Sequence, residues 1–198
     1  MESISLIQHL VGYNTVSRDS NLPLIDFIQN YLFDLGVDSR RVLSQDGKKS
    51  NLIATIGPQD EGGVVLSGHT DVVPVDGQEW SSDPFVIRRD NGRLYGRGSC
   101  DMKGFIGIAL SKLPEMKSLK RPIHFALSYD EEVGCLGAPD MIDVISQELP
   151  APLGVIVGEP SSMRAVTGHK GIVALRTTVK GFEAPSSQTP RGGSAVMT

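Results

Sequence analysis

Short apolar runs that stop abruptly at clusters of Gly, His and acidic residues recur along the chain, and they restrict the possible folds more than any other feature. Val64 to Leu66 leads into Gly68-His69-Thr70-Asp71, Ile123 to Leu127 into Asp130-Glu131-Glu132-Val133-Gly134, and Leu153 to Val157 into Gly158-Glu159-Pro160. Runs this short, bounded by Gly or polar residues, read as buried strands, and Leu52 to Ile56 is another. Helical periodicity fills the intervals. Ile4, Leu6, Ile7, Leu10 and Val11 form one apolar face, and Leu24, Ile25, Ile28, Leu32 and Leu35 a second that Gly36 stops. Met102 to Leu113, ended by Pro114, and Ala138 to Leu149 read as two more helices. Alternation of this kind predicts an α/β fold with a largely parallel sheet, its functional residues gathered beyond the carboxyl ends of the strands.

What gathers there is one imidazole and several carboxylates, a donor set suited to zinc or cobalt, and carboxylates can also bridge two ions. A fourth run, Cys100-Asp101-Met102-Lys103-Gly104, adds another acid; four unrelated acidic turns would have the same composition, so the argument rests on the placement of three of the four after strands. With 39% hydrophobic and 21% charged residues in 198, the chain can bury a core and does not read as disordered. A net charge of −4 with dispersed basic residues argues against a nucleic-acid partner and favours a small molecule. No apolar run approaches the roughly 18 residues of a membrane span, and no signal-peptide core follows Met1, so a cytoplasmic protein without a membrane partner is expected. Two cysteines are too few for a disulfide framework, and Cys100 and Cys135 read as reduced, small buried residues lining packed turns. Phe85 to Arg89 and Arg93 to Tyr95 flank Asn91-Gly92, the signature of a tight hairpin. Beyond Lys170 the mixed alternation of residues 172–179 suggests a half-exposed antiparallel strand, which puts a domain boundary near Gly171. Ala195 to Thr198 reads as the start of a helix.

Taken in order, Ser67-Gly68-His69-Thr70-Asp71-Val72-Val73-Pro74, Gly96-Arg97-Gly98 with Asp101-Met102-Lys103-Gly104, and Asp130-Glu131-Glu132-Val133-Gly134 resemble the dinuclear-zinc aminoacylase and carboxypeptidase family of metallopeptidases, M20. Asn14 to Leu22 and Thr167-Gly168-His169-Lys170-Gly171 are most similar to its acetylornithine deacetylase branch. The resemblance implies a three-layer α/β/α catalytic domain of the phosphorylase/hydrolase-like zinc-peptidase fold over residues 1–170. Residues 171–198 would begin an inserted α+β lid and dimerisation domain. It implies two zinc ions, with cobalt as a substitute. His69, Asp101 and Glu159 would hold one ion; Asp101, as bridge, and Glu132 would hold the other. Asp71 would orient the His69 imidazole, and Glu131 would move the proton from water to the leaving amine. A cis peptide is implied directly after Asp101. The partners implied are an N-acyl amino acid substrate and a second copy in a homodimer. A noncatalytic metal-binding fragment, and an enzyme for succinyl-diaminopimelate, other N-acyl amino acids or dipeptides, stay open as alternatives.

Two departures from the family pattern stand out. Its members run to roughly twice this length, with a late metal-binding histidine that would complete the Glu132 site. Pro185 stands before Ser186-Ser187, where a histidine that stabilises the oxyanion is usual, and proline offers no donor. Elsewhere His124 reads as packing within a strand, and His9 as surface. His169 marks a strand entry near the site, and Arg191 is a loop arginine whose fork could bind a substrate carboxylate.

Overall fold

The computed structural model describes residues 1–168, 170, 171, 173 and 175–195, which form two compact units, Met1–Met163 and Arg164–Thr198. The first unit is built on a five-stranded sheet. Its strands are β1 (Ser39–Leu43), β2 (Ser50–Ile56), β3 (Val64–His69), β6 (Ile123–Ser128) and β7 (Gly154–Val157), in the order β1-β2-β6-β3-β7. β3 pairs in parallel with both β6 and β7, whereas β1–β2 and β2–β6 are antiparallel. The sheet is thus mixed, and it is parallel over the strands that end in the acidic motifs. Periodicity identifies a strand but carries no record of its direction, so the antiparallel edge was not foreseeable from the apolar runs.

Helices α1 (Ser3–Gly12), α2 (Leu22–Asp34) and α3 (Lys103–Ser111) cover one face of the sheet, and α4 (Ala138–Glu148) covers the other, giving three α/β/α layers. Alternation along the strands divides the two cores. Leu52, Ala54 and Ile56 of β2 with Phe125 and Leu127 of β6 join Leu6, Leu10, Leu24, Ile25, Ile28, Ile106 and Leu110, while Ile53, Val65 and Ala126 meet Met141 of α4. Gly36 ends α2 at φ 74, and the Val37 N–H donates back to the Leu32 carbonyl at 3.0 Å, closing the orphan end of the helix. Ile106 is 1% exposed, and its Cγ1 lies 3.2 Å from where a Cβ on Gly68 would sit, directly beneath the motif that follows β3. Ile106→Val should therefore cost about 0.5–1.5 kcal/mol of stability, measured by urea unfolding.

Several expectations need revision. Of Phe85 to Arg89, only the end pairs: the hairpin is β4 (Arg88–Asp90) with β5 (Arg93–Tyr95), turned by Asn91 at φ 48 and Gly92 at φ 74. Upstream, Asp83 accepts the Phe85 N–H at 2.8 Å and holds the chain in a turn. Pro114 does not simply end a helix: α3 stops at Ser111, and Pro114 is the middle residue of a single 3₁₀ turn, Leu113–Glu115. Both cysteines are exposed rather than buried, Cys135 because it sits at φ 57 in a surface turn.

In the second unit, Val173 and residues 175–179 carry no strand pairing. They find no neighbouring strand among the described residues, and Val173 and Leu175 are 82% and 89% exposed. The rest of that expected strand, Ile172 and Ala174, lies outside the described residues, as does most of the expected terminal helix at 196–198. Pro185 precedes a 3₁₀ segment, Ser186–Arg191, and its carbonyl accepts the Gln188 N–H at 2.7 Å. No helix among the described residues is long and apolar enough to cross a membrane.

Candidate metal centre

Because β6, β3 and β7 lie side by side in parallel, their carboxyl ends deliver Asp130-Glu131-Glu132, His69 and Glu159 to one place. Asp101 arrives separately, just before α3, and the Asp101–Met102 peptide is cis. His69 is the hub. Its side chain is 1% exposed, and Nε2 lies 2.9 Å from Asp101 Oδ1, 3.6 Å from Glu159 Oε1 and 4.0 Å from Glu131 Oε2. Two overlapping sets have donor atoms within 4.8 Å of one another: His69 with Glu131 and Glu159, and His69 with Asp101 and Glu132. These are the six sequence-derived site residues less Asp71, whose place is behind the imidazole.

Nδ1 of His69 donates to the Asp71 carbonyl at 2.9 Å, with the Asp71 carboxylate at 3.5 Å. This fixes the ring so that Nε2 faces the acids. The Asp71 carboxylate accepts the Glu131 N–H at 3.0 Å, the Glu132 N–H at 3.2 Å and the Ser17 hydroxyl at 2.7 Å. Asp71 thus grips the acid turn as well as backing the imidazole.

The electrostatics are those of a crowd of anions around one cation. Burial pulls the His69 pKa down, but the carboxylates of Asp71, Asp101 and Glu159 outweigh it and raise it to about 9. Burial and repulsion from Asp101 hold the Glu132 carboxyl above its usual range, and burial with repulsion from Asp101 and Glu131 does the same at Glu159. At Asp71 burial pushes upward, yet His69, Ser17 and the Glu131 amide overcome it and lower the pKa. An imidazole nitrogen and carboxylate oxygens of this kind fit zinc or cobalt, and a bound cation would relieve the repulsion among them.

Other sequence candidates find different roles. His124 is buried and bonds through Nδ1 to the Thr55 hydroxyl at 2.9 Å, which is packing within the sheet. His9 is exposed on α1, where it stacks on Phe27. Arg191 bonds to Gln188 at 3.0 Å, and His169 lies outside the described residues. Residue patterning missed Lys103, which is fully buried on α3 with Nζ donating to the Tyr13 carbonyl at 2.7 Å. Burial depresses its pKa to about 7, against the pull of Asp71. A lysine set between the apolar Met102 and Ile106 was the available signal. Ser17 and Lys49 were missed as well, and nothing in their residue types marked them.

Residues 65–190 match Peptidase family M20/M25/M40. The chain is 35% identical to an acetylornithine deacetylase of Shigella sonnei, over 89% of this chain and 46% of that protein. It is 35% identical to one of Buchnera aphidicola, over 96% of this chain and 50% of that protein. It thus spans about half the length of the curated relatives it matches. Among solved structures, an M20 family metallo-carboxypeptidase from Sulfolobus solfataricus shares the fold at TM-score 0.68 and 23% identity, over 80% of this chain and 37% of that one. Human carnosine dipeptidase 1 does so at TM-score 0.64 and 21% identity, over 78% and 38%. With the family matched across more than half its residues, the chain belongs to Peptidase family M20/M25/M40.

Proposed function

We propose that the chain carries the metal-binding half of an amidohydrolase that converts N-acetylornithine to ornithine and acetate, a cytoplasmic step towards arginine, and that works as a homodimer. The observation that supports this most is the convergence on His69 Nε2 of Glu131 and Glu159, from the ends of strands adjacent to β3, and of Asp101, from the segment just before α3. The relatives named acetylornithine deacetylase support the choice of substrate. His69, Asp101 and Glu159 would hold one ion, and Asp101 with Glu132 a second. Zinc or cobalt held by these residues would supply polarisation of the amide carbonyl and a lowered pKa, towards about 7, for water. Glu131 takes the proton from the attacking water and hands it to the departing amine. Asp71 keeps the imidazole turned so that Nε2 stays on the ion side, and through the amides it accepts it holds Glu131 and Glu132 in place.

With zinc or cobalt added, the purified chain is expected to deacetylate N-acetylornithine faster than N-succinyl-diaminopimelate, other N-acyl amino acids or dipeptides. Faster turnover of another member of that panel would reassign the substrate. No turnover above a Glu131→Ala control would sink the catalytic reading.

A second reading, metal binding at His69, Asp101 and Glu159 without turnover, is favoured by one observation. Of the other described histidines, His9 is engaged with Ser5 and Phe27 and His124 with Thr55, so Glu132 gains no imidazole from them. Two tight zinc equivalents per chain would exclude it.

A further inference from the structure

We propose that Ser17, assisted by Lys49, is a positioning residue for the acid turn: its hydroxyl locks the Asp71 carboxylate, which in turn sets Glu131 and Glu132 in separate donor sets. The inference rests on reading these residues as a metal centre, and it gives the segment from Thr15 to Asn21 a task in the site.

Asp71 is 2% exposed, so every lone pair it presents must be met from within the protein. Oδ1 accepts the Glu131 N–H at 3.0 Å, and Oδ2 accepts the Glu132 N–H at 3.2 Å and the Ser17 hydroxyl at 2.7 Å. The hydroxyl is the shortest of the three. Without it Oδ2 keeps only the longest bond, and the carboxylate is free to turn away from the Glu132 amide. Ser17 is itself held in place: its N–H donates to the Val72 carbonyl at 3.2 Å, and the Val72 N–H donates to the Thr15 carbonyl at 3.0 Å. The Thr15 hydroxyl adds a 2.6 Å bond to the Thr70 carbonyl, and Asn21 bonds to both Ser50 and Thr70. A single parallel bridge, Val16 to Val72, thus pins the segment beside residues 70–72 and holds Ser17, at the start of the turn that follows, at a fixed register.

Lys49 closes the network from the other side. Its Nζ donates at 2.5 Å to both the Ser17 carbonyl and Asp130 Oδ1, with side chains only 17% and 11% exposed for Lys49 and Asp130. Asp130 stands at φ 56, in the left-handed region that aspartate and asparagine enter more readily than other non-glycine residues. That bend starts the turn in which Glu131 joins His69 and Glu159 while the next residue, Glu132, joins His69 and Asp101.

The test compares Ser17→Ala, Ser17→Thr and the wild-type chain by zinc titration, thermal melting of the metal-free forms, and amide hydrogen exchange. Ser17→Ala should weaken zinc binding by about 10–100-fold, and Ser17→Thr, which keeps the hydroxyl, should stay within about threefold of wild type. In the metal-free protein, exchange at the Glu131 and Glu132 amides should quicken at least about tenfold in Ser17→Ala and not in Ser17→Thr. A lowered melting temperature with unchanged zinc affinity, or unchanged exchange at those amides, would overturn the proposal. If wild type binds no zinc but the exchange effect is present, the metal reading fails while the positioning role stands. Should Ser17→Ala not fold, Ser17→Cys, which keeps the volume and donates weakly, makes the same comparison.

Discussion

Glu131→Gln is expected to keep its zinc while turnover of N-acetylornithine falls by about 10²–10⁴-fold, the range for loss of a positioned proton carrier. Glutamine preserves the volume of the side chain, and the Glu131 main-chain N–H still reaches Asp71 Oδ1, so the turn itself should not move. The experiment is discriminating because the geometry offers Glu131 two occupations. Its Oε2 lies 4.0 Å from His69 Nε2, and with Glu159 it completes one of the two donor sets, so it could serve as a ligand. A ligand's loss would weaken zinc binding by more than about tenfold in Glu131→Gln, whereas loss of a proton carrier leaves the titration unchanged. Glu132→Gln is the counterpart and should lose the second zinc equivalent. Calorimetric titration decides between ligand and base even for a preparation with slow turnover, and a Glu131→Gln protein with weakened zinc binding would hand the base role to another group.

The difference between what could and could not be read in advance follows from what each residue has to do. β3, β6 and β7 were legible because each is a short apolar run that stops where the acidic motifs begin, although only β6 is buried along nearly its whole length and β7 is exposed. β1 was not legible, since Arg40 and Arg41 dominate it. On an edge strand those side chains can reach outward, Arg41 to Asp26 at 2.5 Å and Arg40 to Glu148, so burial imposes little pattern. In the candidate site the metal-type donors were legible by chemistry, because few side chains can do that work. Their supports were hidden: a serine that holds Asp71, or a lysine that ties Asp130 to the Ser17 loop, becomes special only through contacts distant in sequence. Lys103 is intermediate. Its burial contradicts the ordinary preference of lysine for water, and only the Tyr13 carbonyl on a remote loop makes it tenable.

At the proposed metal centre, the protonation of His69 should make zinc binding steeply dependent on pH. In the metal-free protein its pKa stands at about 9 rather than 6.5, raised by Asp71, Asp101 and Glu159 against the opposing effect of burial. The raised value means that the charged imidazole stabilises the metal-free fold, by about 3 kcal/mol on the usual conversion. That contribution is fully present below pH 6.5 and is lost as pH rises through about 9. Zinc needs the same Nε2 lone pair that the proton occupies, so binding must expel the proton. Apparent zinc affinity should therefore climb about tenfold per pH unit from pH 7 and level off near pH 9, a gain of about 100-fold, with close to one proton released per ion at pH 7.5. Competition against a chromophoric chelator gives the affinities, and calorimetry in buffers of different ionisation enthalpy gives the protons. Affinity that stays flat between pH 7 and 9 would mean a neutral imidazole before metal arrives. In that case the carboxylates 2.9 and 3.6 Å from Nε2 would not be holding a charge, and the metal-free centre could not be an anion cluster organised around His69.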